Sequence, residues 1–321
     1  MTTGLFLATH YNPHRVIAFG SLSSIIRNYE WTWAVRIFHS NGARLFFMCL
    51  YIHIARGIYY GSYKNLIAWK VGFLIFVLRI ATAFIGYVLP WGQMSFWGTS
   101  VITSLFGIIP KIGKKVIHYL WIDISISRST LSRFYTLHFL LPFILTALTL
   151  LHLFYIHEKG SHNPLGFPRD ADKLKFSNYF LIKDLLGFIV GLFLVAGLVC
   201  WQPWLLNDSD NFIPANNLKT PAHIQPEWYF LFAYAILRRI PNKTGGILAI
   251  MFAVLVILII PIIKFNSKGY LFNPERKLLF WGLIALILLL SWVGAQPVAT
   301  RFTNLGQKLT ILYFIWFAFI W

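Results

Sequence analysis

The sequence predicts an all-α, polytopic transmembrane helix bundle of about seven full spans plus the tail of an eighth, built around a four-helix bundle. Three observations carry this. Of 321 residues, 58% are apolar and 12% charged, a balance that places the chain among membrane proteins. The apolar residues come in runs close to the ~20 residues needed to cross a bilayer. Two of those runs each carry a pair of histidines at one and the same spacing: His39 and His53 in 33–56, His138 and His152 in 134–156.

The net charge of +18 would point to nucleic acid on a soluble chain. Here the basic residues are mostly spread through short loops between spans. Lipid headgroups and partner subunits are the expected counterparts, and no nucleic acid is expected. Cys49 and Cys200 sit in apolar runs and read as small core residues. The start, Met1-Thr2-Thr3-Gly4, has no basic region of the kind that opens a signal peptide.

Residues 1–10 are apolar but too short to span, and Asn12-Pro13 ends them. They read as the tail of a helix whose beginning is absent. Residues 14–30 mix polar and apolar positions, as an interfacial helix does. The predicted spans are 32–58, 66–89, 131–156, 184–203, 245–263, 278–295 and 304–321. After Leu89-Pro90-Trp91-Gly92 an aromatic, Ser/Thr-rich stretch to about residue 122 predicts surface helices lining a pocket. Pro142 is expected to kink the third span. Residues 157–183 read as a polar loop. A long Asn- and Pro-rich connection, 204–226, leads through Pro226-Glu227-Trp228-Tyr229 into a short apolar helix ending at Leu237. Connections of that length are usually functional. The division is 1–203, the bundle with a truncated first helix, and 204–321, the connection with three further spans. One span separates the two histidine helices, so they run parallel, with His39 level with His138 and His53 with His152. Basic residues are frequent in the loops of both sides, so the positive-inside rule leaves orientation open.

Fourteen residues of α-helix rise roughly 21 Å and return to within about 40° of the same face. Each histidine helix therefore presents two imidazoles on one face, one in each half of the bilayer. Ionisable side chains at membrane depth are costly and mark functional sites. Two level pairs would make two bis-histidine sites, and the expected occupants are two haems, each iron held from both sides. Zinc, which gathers its ligands closely, fits such spacing poorly. Gly72 and Gly86 repeat the fourteen-residue interval, and Gly4 would belong to a third such pair with a partner upstream of Met1. Glycine costs helix stability, and a flat cofactor against bare backbone would supply the reason. Arg36 and Arg56 lie one turn from His39 and His53, placed to meet propionates. Glu227 opens a short helix among aromatic residues, where a carboxylate could exchange a proton near neutral pH. Tyr87, Tyr229 and Tyr234 are candidate hydrogen-bond donors. His157, Ser161 and Asp184, at span ends, could hold and protonate a carbonyl-bearing ligand. A metal-free, proton-coupled transporter is the competing class; such a protein would be colourless.

Two passages, Gly86-Tyr87-Val88-Leu89-Pro90-Trp91-Gly92-Gln93-Met94-Ser95-Phe96-Trp97-Gly98 and Pro226-Glu227-Trp228-Tyr229-Phe230-Leu231-Phe232-Ala233-Tyr234, resemble the mitochondrial cytochrome b family. That family supplies the haem- and quinone-carrying subunit of ubiquinol–cytochrome c reductase (complex III). The resemblance covers nearly the whole chain. It implies a catalytic subunit active only within the assembled complex. Two haem b groups are implied, a low-potential one on His39 and His138 and a high-potential one on His53 and His152, with Gly4, Gly72 and Gly86 giving them room. Ubiquinol would be oxidised where Glu227, Tyr87, Phe84, Gly98, Ile102, Pro226 and Phe230 line a pocket. Ubiquinone would be reduced where His157, Ser161, Lys183 and Asp184 line another. One electron would go to a Rieske-type iron–sulfur subunit and the other across the haems, contributing to a proton gradient. Further implied partners are a c-type cytochrome subunit, other subunits, the lipid bilayer and a second copy of the complex. The implied location is the mitochondrial inner membrane, as a multi-pass chain.

The sequence departs from the family pattern in places. The first transmembrane helix and a carboxyl-terminal tail are expected beyond the ends given, and Ala55 stands for a glycine. Arg44, Arg79 and Arg239 stand where the family carries serine or an uncharged residue. Because AGA and AGG encode serine in many invertebrate mitochondria, the three positions are expected to be serines in the native protein. The alternative is that the arginines meet lipid phosphate, a propionate or a partner.

Overall fold

A computed structural model of the chain describes residues 1–165, 170, 173–262 and 273–319. Among the described residues the regular structure is helical, in twelve α-helices and no strand. They are α1 Thr2–Ala8, α2 Ala18–Arg27, α3 Thr32–Tyr59, α4 Leu66–Val88, α5 Gln93–Ser104, α6 Gly113–Trp121, α7 Arg128–Lys159, α8 Phe176–Trp201, α9 Leu231–Arg239, α10 Lys243–Ile259, α11 Pro274–Gly294 and α12 Thr300–Phe319. The chain is an all-α, polytopic membrane bundle. α4, α7, α8 and α11 are long and apolar enough to cross a bilayer. α3, at 28 residues, and α12, at 20, have the length but carry more polar residues. α10 is a shorter apolar helix of 17 residues.

Several helix ends differ from the sequence reading by a turn, and two of them bear on candidate residues. α7 continues to Lys159, taking in His157. α8 begins at Phe176, so Lys183 and Asp184 lie within a helix and not at the close of a loop. From Phe176 to Leu186 no proline or glycine interrupts the chain, and the run Tyr179-Phe180-Leu181-Ile182 is good helix material for an apolar medium. Pro142 lies inside α7, which is assigned as one helix from Arg128 to Lys159. The 204–226 connection is irregular, apart from one tight turn of helix at Ser209–Phe212.

The helices pack as two units, each drawing on separated segments. The first comprises Met1–Leu50, Leu78–Ala147 and Asp170–Ala222. Its main core is Ala18, Ile85, Val88, Trp91, Phe96, Ile126, Leu131 and Phe134. A smaller cluster joins Ile37 to Val195 and Val199. The Pro90-Trp91-Gly92 turn is held in a costly conformation, Trp91 at φ 55°. The connection fastens it: Ala215 N donates to Trp91 O at 3.0 Å and Gln93 N to Ile213 O at 2.9 Å. Asn211 Oδ1 accepts from Ser95 N at 2.9 Å, and Ser95 Oγ donates to the Tyr87 carbonyl at 2.6 Å. Tyr11 Oη donates to Leu89 O at 2.6 Å. Burial, with Tyr135 beside it, pushes the Tyr11 phenol well above its ordinary pKa, so it stays protonated.

The second unit comprises Tyr51–Val77, Leu148–Arg169 and His223–Trp321. Its core gathers Ile58, Tyr63, Ala235, Ile236, Val256, Phe280, Leu290, Val293, Tyr313 and Trp316. α9 packs on α10, α11 and α12. It approaches closely because Gly246 and Gly294 face the carbonyls of Leu237 and Leu231, where a Cβ would not fit. Aromatic donors tie helices to foreign carbonyls: Trp69 Nε1 to Ile257 O at 2.8 Å, Trp316 Nε1 to Leu279 O at 2.6 Å and Tyr313 Oη to Ala253 O at 3.0 Å. In an apolar medium such pairings relieve polar groups that have no water to turn to.

Candidate functional site: two facing imidazole pairs

Each unit contains one histidine pair. In the first, His39 of α3 faces His138 of α7, ring centres 6.1 Å apart and planes at 80°. In the second, His53 of α3 faces His152 of α7, ring centres 6.4 Å apart and planes at 77°. Ordinary edge-to-face pairs also reach this separation; what distinguishes these two is that both are imidazole to imidazole and both join α3 to α7. Two imidazoles bound to opposite faces of one metal, each by a bond of about 2 Å, hold their ring centres about 6.3 Å apart. Both pairs match that spacing. Among the described residues no three His, Cys, Asp or Glu side chains converge, so the donor set is two imidazoles at a time. That set suits a macrocycle that brings the other four ligands itself. The residues present therefore fit a bis-histidine haem at each pair.

The free edge of each ring is also fixed. His138 Nδ1 lies 2.9 Å from the Thr82 carbonyl and His39 Nδ1 lies 3.0 Å from Thr3 Oγ1. With Nδ1 engaged, Nε2 is the nitrogen left for a metal. His152 Nδ1 takes the Ala68 backbone carbonyl as its hydrogen-bond partner, in a looser geometry than that of His138. Ala68 and Thr82 are themselves fourteen residues apart, one turn before Gly72 and Gly86.

The three glycines face the imidazoles. A Cβ on Gly4 would sit 3.0 Å from His39 Cε1 and one on Gly72 3.0 Å from His152 Cε1. One on Gly86 would collide with His138 Cε1. At Gly86 bare backbone is thus needed beside the imidazole, and at Gly4 and Gly72 a Cβ would press on the ring; the sequence reading set these glycines against a flat cofactor. Gly98 is different: a Cβ there would meet open space. The charges of Arg36 and Arg56 act on His39 and His53 respectively.

The remaining candidates divide between the units. Phe84, Tyr87, Gly98 and Ile102 belong to the first, all partly buried. Pro226, Glu227 and Phe230 belong to the second, also partly buried. Glu227 caps the tight helical turn Trp228–Phe230 that leads into α9. This segment is pinned on both sides. Tyr234 Oη donates to Ile224 O at 2.9 Å, and Tyr51 Oη, from α3, donates to Tyr229 O at 2.5 Å. His157 and Ser161 in the second unit, and Lys183 and Asp184 in the first, are exposed.

The three anomalous arginines have internal partners. Arg44 donates to Asn41 Oδ1 at 2.9 Å and Asn207 Oδ1 at 3.1 Å. The guanidinium of Arg79 lies 3.9 Å from the centre of the Phe46 ring. Arg239, 2% exposed, donates to Thr303 Oγ1 at 3.2 Å and Val293 O at 3.1 Å, though its Nε is buried without a hydrogen bond.

Sequence reasoning missed Thr3, Tyr51 and Thr82. Only Thr82 left a signal, through its fourteen-residue interval from Ala68.

Comparison with known proteins gives consistent results. The profile of the cytochrome b/b6/petB family matches residues 1–160. That of the cytochrome b (C-terminal)/b6/petD family matches residues 214–314. A solved structure described as "Hyperthermophilic respiratory Complex III" superposes with a TM-score of 0.93 at 32% identity, over 99% of this chain and 85% of that one.

Proposed function

The chain belongs to the cytochrome b/b6 family, and from that premise we propose that it is the di-haem, quinol-oxidising subunit of a multi-subunit respiratory complex. The observation that carries the reading is the two facing imidazole pairs between α3 and α7, at 6.1 and 6.4 Å, a spacing compatible with one iron in each. His39 and His138 would hold one haem b, and His53 and His152 the other. A haem held by two of the chain's imidazoles would supply a one-electron relay with no ligand position left for dioxygen.

The chain's own residues bind the quinone and move protons. The family resemblance supports Glu227, on a segment pinned by Tyr51 and Tyr234, as the residue that takes a proton from quinol, and Tyr87 as a hydrogen-bonding residue for quinol. Tyr87 is steadied by Ser95, whose hydroxyl holds its carbonyl. The family resemblance supports His157, Ser161, Lys183 and Asp184 as residues that bind quinone and return protons to it. Proton release and uptake on opposite sides make the reaction electrogenic. The family resemblance supports ubiquinone as the substrate, Rieske-type and c-type cytochrome partners, a dimeric complex and the mitochondrial inner membrane.

The purified complex should show two b-type components on reduction. Glu227→Gln should slow quinol oxidation by about 10²-fold, the lower range for a positioned general base, while both haems stay bound and reducible through the other quinone site. A colourless complex would overturn the haem reading. Unchanged turnover at every pH would remove Glu227 from the mechanism.

A further inference from the structure

The two imidazole pairs are alike in spacing but not in what holds their outer nitrogens. In the first pair both Nδ1 atoms face an oxygen: Thr3 Oγ1 at 3.0 Å from His39 and the Thr82 carbonyl at 2.9 Å from His138. In the second pair neither His53 nor His152 meets a side-chain hydroxyl among the described residues, and the Ala68 backbone carbonyl serves His152 loosely. The carbonyl contact comes with the helix backbone. The threonine contact is a side-chain choice, made between α1 and α3 across 36 positions of sequence.

We propose that Thr3 is a positioning residue that sets the reduction potential of the His39/His138 haem by accepting a hydrogen bond from His39. This rests on the haem assignment above. With Nε2 on iron, Nδ1 carries the ring proton and donates to the Thr3 oxygen. That bond makes the imidazole a stronger electron donor, which favours the ferric state and lowers the potential. The bond also locks the ring about its Cβ–Cγ axis, and Gly4, the next residue, leaves space for its edge. The pair whose α3 ligand has the hydroxyl partner should therefore be the lower-potential one, which agrees with the ordering the family resemblance implies. The charges of Arg36 and Arg79 act on His39 in the opposite sense, and the test leaves both in place.

Redox titration of the assembled complex, followed by visible absorbance, tests this. Thr3→Val keeps the shape and removes the acceptor. It should move the His39/His138 haem three- to tenfold toward the ferrous form, about 30–60 mV more positive for a one-electron couple. The His53/His152 haem should stay where it was, and Thr3→Ser should restore the original value. If Thr3→Val loses the haem, Thr3→Ala, which removes the hydroxyl with less bulk, carries the same expectation. An unmoved potential in a variant that retains both haems overturns the proposal, as does an equal shift of both. A wild-type complex without b-type bands would instead overturn the haem assignment itself.

Discussion

His138 is held from three directions: His39 opposite, the Thr82 carbonyl at its outer nitrogen and the bare backbone of Gly86 at its edge. A methyl group at Gly86 would have to displace the ring or the helix, an overpacking cost of about 1–3 kcal/mol. Gly86→Ala should therefore weaken retention of one haem several-fold, whereas Gly98→Ala, facing open space, should leave haem content unchanged. Equal haem loss in both variants would show that the contact at the ring is not the reason for glycine. The ligands were legible in the sequence because helix geometry alone puts residues fourteen apart on one face. Thr3 was not, because nothing local says that its hydroxyl meets a ring 36 residues away. The anomalous arginines are a separate residue-scale question. Arg239 fills a socket of Thr303, Val293 and Gly306, yet the serine reading remains the sequence-based expectation. Mass spectrometry of the native subunit decides it: serine masses at positions 44, 79 and 239 are expected, and arginine masses would overturn that reading.

Among the elements, the stretch leading into α9 has the least local reason to be rigid. It follows a long irregular connection, and Glu227 sits at its mouth. Two tyrosine hydroxyls tie it down, Tyr234 within α9 and Tyr51 two residues before His53 on α3. Removing the Tyr51 hydroxyl costs about 1 kcal/mol in net hydrogen bonding and frees the Tyr229 end of the segment. Tyr51→Phe should raise KM for quinol and lower turnover by several-fold, with haem content and both haem spectra intact. Wild-type kinetics in a fully haem-loaded variant would dismiss the tether. The sequence marked this segment through its Pro-Glu-Trp-Tyr run but gave no sign of Tyr51, since that bond spans 178 positions. Element ends were less legible than element existence. The seven long helices were expected, but α7 and α8 run further into the polar stretch between them, because propensity and apolar exposure outweigh a few polar side chains there.

Across the whole molecule, each packing unit contains both ligands of one pair: His39 and His138 in the first, His53 and His152 in the second. Each pair takes one ligand from α3 and one from α7. Loss of either ligand should therefore empty one site and spare the other, and the two ligands of a pair should be equivalent in effect. The spectral signature of single histidine variants in the assembled complex measures this directly. His39→Ala and His138→Ala should both lose one and the same b-type component, while His53→Ala and His152→Ala should both lose the other. If His39→Ala and His53→Ala, on the same helix, removed the same component, the pairing across α3 and α7 would be wrong.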